Sequence, residues 1–185
     1  MSESELYPAL REAVEHHLLV VDHSGRGYAF RHALTRDALY DDMLPGERAR
    51  LHTAYGEALA ADPTLLDDDS SVAATMAHHW YSALDLPRAL SASVRAGQQA
   101  GAGYTPAEAL RHLERALQIW PRVPDAAELA GVDWTDLNVL AAEAAWGAGE
   151  PTASVHVSNI LAKLGVSTRT EAATVAHRNG LLATA

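Results

Sequence analysis

The chain has 185 residues, no cysteine and a formal net charge of −10. Disulfides and thiolate metal sites are therefore excluded, and a surface built wholly for nucleic acid is disfavoured. Hydrophobic residues make up 48% but aromatics only 6%, and much of the remainder is alanine, which favours closely packed helices over a β-sandwich.

The charge is uneven. Residues 1–150 are strongly acidic, whereas 151–185 carry Lys163, Arg169 and Arg178 against Glu171 alone, a balance of +2. Any contact with nucleic acid is therefore expected at the C-terminal end. No apolar run approaches the ~20 residues that span a bilayer. The start, Met1 to Glu5, is acidic and lacks a signal-peptide core. The expected location is the cytoplasm, with no membrane partner.

In chain order, residues 4–17 read as a helix with Leu6, Leu10, Ala13, Val14 and His17 on one side. The period then changes. Leu18 to Asp22 and Tyr28 to Phe30 read as strands joined by the turn-like His23-Ser24-Gly25-Arg26-Gly27, a hairpin. His32 to Leu44 returns to helical spacing. Pro45 opens another helix, with Leu51, Tyr55 and Leu59 at i, i+4 and i+8. A helix running into a hairpin is how a winged helix ends. The run Phe30-Arg31-His32-Ala33-Leu34, followed by Arg36-Asp37-Ala38-Leu39-Tyr40, resembles the winged-helix segment of large ATP-binding LuxR regulators, a branch of the STAND ATPases. Residues 1–61 are read as a winged-helix remnant on that basis.

Asp62 to Ser71 reads as a loop, and Asp67-Asp68-Asp69 as a solvated charge run. Helices are expected over 72–84, 87–102, 106–120 and 133–147. Thr105-Pro106-Ala107-Glu108 carries a capping-box pattern with Pro at the first helical position. Gly101 and Gly103 are read as closing the helix before it. A shared core is expected from Trp80, Leu90, Leu110, Leu113, Leu117, Trp134 and Leu140. Short breaks and small residues between these helices suggest a tetratricopeptide-like array over 62–150, whose repeat is degenerate. Such an array is either a surface for a protein or effector partner or a packing spacer.

From Thr152 to Val166 the residues Val157, Ile160, Leu161 and Leu164 fall at i, i+3, i+4 and i+7, one apolar stripe of a helix. Gly165 sits where a left-handed residue ends it. The opposite face carries Val155, Ser158, Asn159, Ala162 and Lys163. Serine and asparagine reach base edges, valine meets a thymine methyl and lysine neutralises a phosphate. Thr168-x-x-Glu171 is a second capping box, opening a helix over about 169–178 before Asn179-Gly180.

This run resembles the recognition helix of the LuxR-type helix-turn-helix through Thr152, Val155 to Val157, Ile160, Leu161, Lys163, Leu164 and Gly165. Ser167 to Ala173 matches the start of that domain's last helix. The resemblance implies DNA as partner, with Ser154, Val155 and Ser158 facing base edges and Thr152, Asn159 and Lys163 facing sugar-phosphate. It also implies dimerisation through the last helix, with its alanine face of Ala172, Ala173 and Ala176. The two helices that precede a recognition helix in the family, with their Leu-Thr-x-Arg-Glu start, have no counterpart here. Residues 151–185 are thus read as the C-terminal half of the domain.

No P-loop run, Gly-x-Ser-x-Gly elbow or His-Glu-x-x-His occurs. No enzyme activity and no cofactor or metal are expected. Of the pairs His16-His17 and His78-His79, one histidine of each is expected to pack and the other to be solvated. His156 is read as packing against a neighbouring helix. The overall expectation is mainly α: a winged-helix remnant with one hairpin, a tetratricopeptide-like array and a partial helix-turn-helix. The competing reading is a helical interaction module, or a non-functional remnant, that does not touch DNA.

Overall fold

The computed structural model describes residues 3–21, 27–66 and 69–178, with backbone alone at 3, 69–71, 169, 173 and 176–178. The turn residues 22–26, Asp67-Asp68 and the stop Asn179-Gly180 lie outside them, as do the side chains of Ala173 and Ala176. The chain is mainly helical with one two-stranded hairpin, and it divides into two compact units, 1–48 and 49–185.

The first unit holds α1 (Glu3–Glu15), β1 (Leu19–Val21), β2 (Tyr28–Phe30) and α2 (Ala33–Asp42). The strands are antiparallel, with Leu19 opposite Phe30 and Val21 opposite Tyr28. Leu6, Leu10, Ala13 and Val14 are half-buried, as their spacing predicts, but His17 is exposed. It leaves the helix at φ 58°. No described residue of this unit is fully buried, and Leu34 of α2 is 82% exposed. The helical spacing of Leu34, Ala38 and Leu39 therefore marks no core face.

Helix α3 (Pro45–Ala61) runs across the division. Its buried face is His52, Gly56 and Leu59. Leu51 and Tyr55, read as apolar-stripe residues, are exposed. Two contacts set this phase. A Cβ on Gly56 would lie 2.8 Å from the Trp80 ring, so only glycine admits the indole there. His52 meets His79 with 2.8 Å between their Nδ1 atoms.

The second unit continues with α4 (Asp69–Ser82), α5 (Leu86–Ala102), α6 (Pro106–Ile119), α7 (Ala126–Ala130), α8 (Trp134–Ala148), α9 (Ala153–Leu164) and α10 (Arg169–Arg178). Helices α4, α5, α6, α8 and α9 pack in succession, and α7 lies on α5. The core runs through Trp80, Leu90, Val94, Leu110, Leu113, Ile119 and Leu137, filled between by alanines of α5, α6 and α8. Each large apolar side chain buried contributes about 1.5–3 kcal/mol, and the alanines let the axes approach. Leu117 and Leu140 pack partly buried against this cluster, whereas Trp134 is not part of it.

Five helices end alike. After α1, α4, α5, α8 and α9 a left-handed residue is followed by an amide that reaches back five residues, as in Asp85 N–H to Trp80 O at 3.0 Å and Glu150 N–H to Ala145 O at 2.8 Å. This is the Schellman pattern. Gly149 and Gly165 serve it at φ 72° and 67°, but His17, Leu84 and Tyr104 serve it at φ 58°, 62° and 58°. Gly103 has φ −81°, so Tyr104, not Gly103, turns the chain out of α5. The Thr105 hydroxyl donates backwards to Ala100 O at 3.0 Å and makes no cap hydrogen bond to α6. The capping box expected there does not form.

Candidate nucleic-acid interface

Helix α9 is joined to α8 by four residues, 149–152, with Gly149 in the left-handed region. The two helices pack closely. A short glycine-containing turn between two packed helices is common to αα-hairpins and helix-turn-helix motifs. The helix beside α9 is thus the last helix of the array itself. Helix α9 also meets α10. Glu171 caps α10 reciprocally: its carboxylate accepts from Ser167 N–H (2.7 Å) and Thr168 N–H (3.2 Å), and its amide donates to Thr168 Oγ1 (3.1 Å).

The six residues read as DNA-contacting part into two sets. Ser154, Val155, Ser158 and Lys163 are exposed, Val155 by 55%. Thr152 and Asn159 turn inward. Asn159 is half-buried and its Nδ2 donates to Asn138 Oδ1 of α8 at 3.3 Å. Thr152 Oγ1 is buried with no hydrogen-bond partner among the described residues. His156, between them on the same face, is buried, with Nε2 3.8 Å from Glu114 Oε1 of α6. The face that α9 turns to the array is therefore polar at Thr152, His156 and Asn159. The apolar residues Val157, Ile160, Leu161 and Leu164 are half-buried. Neither Thr152 nor Asn159 presents a side chain toward a duplex laid on the exposed face.

The exposed face retains usable chemistry. Ser158 Oγ donates to Ser154 O at 2.9 Å and Ser154 Oγ to Pro151 O at 3.0 Å. Each hydroxyl has spent its proton but keeps lone pairs, so it can accept from an exocyclic amine of cytosine or adenine. Lys163 stands in the last turn. At the other end the amides of Ala153 and Ser154 already point at Glu150 O and Pro151 O, each at 3.4 Å. Long bonds of this kind are easily exchanged for a phosphate oxygen. Beside this face lies a hollow lined by Trp146, Glu150, Pro151, Ser154 and Val157, and Trp146 is 83% exposed.

Two elements escaped sequence reading. Asn138 is fully buried on the core face of α8, and its Nδ2 donates to Trp134 O at 2.9 Å. A lone asparagine within Leu137-Asn138-Val139-Leu140 is the signal that could have found it. The second is a histidine cluster. His52, His78 and His79 lie with ring centroids 4.9–5.5 Å apart, and Tyr55 stacks on His79 at 4.1 Å. Burial, then the charges of His52 and His78, pushes the pKa of His79 down to about 4. Burial and His78 lower His52 also. His79 packs and His78 is exposed, whereas His16 and His17 are both exposed. Among the described residues no group of three or more metal-ligating side chains is arranged to hold an ion, and no helix is long and apolar enough to cross a membrane.

No family model, no curated protein and no solved structure matches the chain.

Proposed function

We propose that the chain is a LuxR-type transcriptional regulator, without the first half of the helix-turn-helix, that touches DNA through the outer face of α9. The observation that carries this reading is the α8–Gly149–α9 unit. It backs α9 with a packed helix while leaving Ser154, Val155, Ser158 and Lys163 free. Two of the six residues implied by the family are turned inward, and few cations line the face, so binding is weak and its electrostatic part small. Val155 and the two serines carry what base preference there is, and Lys163 holds the backbone.

The test is selection from a random duplex library by the wild-type chain and by Val155→Ala. The expected outcome is a shallow preference that changes with the substitution. Enrichment identical in the two proteins, or none, overturns the reading.

A second reading is a helical interaction module. It is favoured by a hollow between α5, α6 and α8, lined by Gly97, Gly101, Pro106, Leu113, Leu140 and Ala144. A chain that enriches no DNA supports it in place of the first.

A further inference from the structure

A separate face of α6 carries a different kind of chemistry. Thr75 and His78 of α4 and Glu108, Arg111, His112 and Arg115 of α6 line a hollow of about 340 Å³, within the usual size of small-ligand sites. The residues are set by helical spacing: 108, 111, 112 and 115 fall on one face of α6. In a chain of net charge −10 the hollow gathers two arginines against one carboxylate.

His112 is the unusual member. It is 3% exposed, yet neither ring nitrogen has a hydrogen-bond partner among the described residues. Its nearest acid, Glu108, stops 3.7 Å from Nε2. A buried imidazole left without partners costs free energy. Burial and the adjacent Arg111 hold its pKa below the ordinary value, so it adds no positive charge to the hollow at neutral pH.

We infer that this hollow binds a small phosphate-bearing molecule. Thr75 and the two guanidiniums supply more donors than the two oxygens of a carboxylate can use, and a phosphate presents three or four. The arginines are free to engage it. Arg111 holds Glu108 only through an exposed pair at 3.4 Å, a contact of little worth. Arg115 lies 5.1 Å over the Tyr81 ring, which aims its guanidinium without consuming its hydrogen bonds. Glu108 tunes the site against highly charged ligands and favours one phosphate group. The inference does not depend on α9 or on DNA.

Calorimetric titration of the full chain with inorganic phosphate at constant ionic strength tests it, with acetate in a parallel arm. One saturable site is expected, with acetate bound at least about tenfold more weakly. Arg111→Gln and Arg115→Gln should each weaken phosphate about tenfold or more, the range of one charge-assisted hydrogen bond. Arg111 is exposed and Arg115 half-buried, and circular dichroism verifies that each variant folds. Absence of saturable binding, equal affinity for acetate, or undiminished binding by the folded double variant overturns the inference.

Discussion

Asn159 of α9 and Asn138 of α8 form a side-chain amide pair at 3.3 Å, and Asn138 is fully buried. The contact lies on the face that α9 turns to α8, opposite its exposed residues. Asn138→Ala leaves the half-buried Asn159 amide without its acceptor and opens a gap at a fully buried position, which together cost about 1–3 kcal/mol. Asn138→Ala is expected to lower denaturant stability by that amount. Asn138→Leu combined with Asn159→Leu should recover part of it. A neutral Asn138→Ala would show that the pair does not set the register.

Leu113 is buried against Gly97, where an added Cβ would sit 2.6 Å from Leu113 Cγ. Leu113→Ala should cost about 2–5 kcal/mol, and Gly97→Ala about 1–3 kcal/mol by overpacking. The double variant should be more stable than the sum of the two losses, because the new methyl enters the space vacated. Strict additivity in urea titration would contradict this contact.

Tyr104 is 93% exposed and holds φ 58°. Glycine adopts that conformation without the Cβ penalty, and little packing is lost. Tyr104→Gly is expected to raise stability by up to about 1 kcal/mol. A lower thermal midpoint would show that the tyrosine ring is contributing.

The histidine cluster makes stability depend on acid. His79 is held at about 4 in the folded chain against an ordinary 6.5. Between these values the unfolded chain binds the extra proton, so stability rises with pH. The contribution is fully present above pH 6.5 and is lost as pH falls toward 4. His52 and His112 shift in the same direction. Denaturant midpoints measured from pH 7.5 to 4 should fall through this window, and less steeply in His79→Gln. An equal slope in that variant would place the acid sensitivity elsewhere.

The helices and the hairpin were legible because periodicity and turn chemistry are local signals. Pro106, Gly165 and the Thr168–Glu171 box behave as their positions require. What escaped was long-range. Leu51 and Tyr55 look like a stripe until Gly56 meets Trp80 and His52 meets His79, neighbours 24 and 27 positions away. Thr105 has the cap sequence, but its hydroxyl finds Ala100 O first. In the candidate interface, Val155, Ser158, Ala162 and Lys163 were readable as an exposed face from their spacing, and Ser154 only through the resemblance. Asn159 was not, because nothing in residues 151–166 announces the amide waiting on α8.

The most direct test of DNA contact through α9 is the salt dependence of duplex binding, followed by fluorescence anisotropy for the wild-type chain and for Lys163→Ala. A shallow slope is predicted, about −1 to −2 in log K against log salt. Lys163→Ala should reduce its magnitude by about 1 while weakening all sequences alike. A slope unchanged by Lys163→Ala, or no saturable binding at low salt, would contradict the assignment.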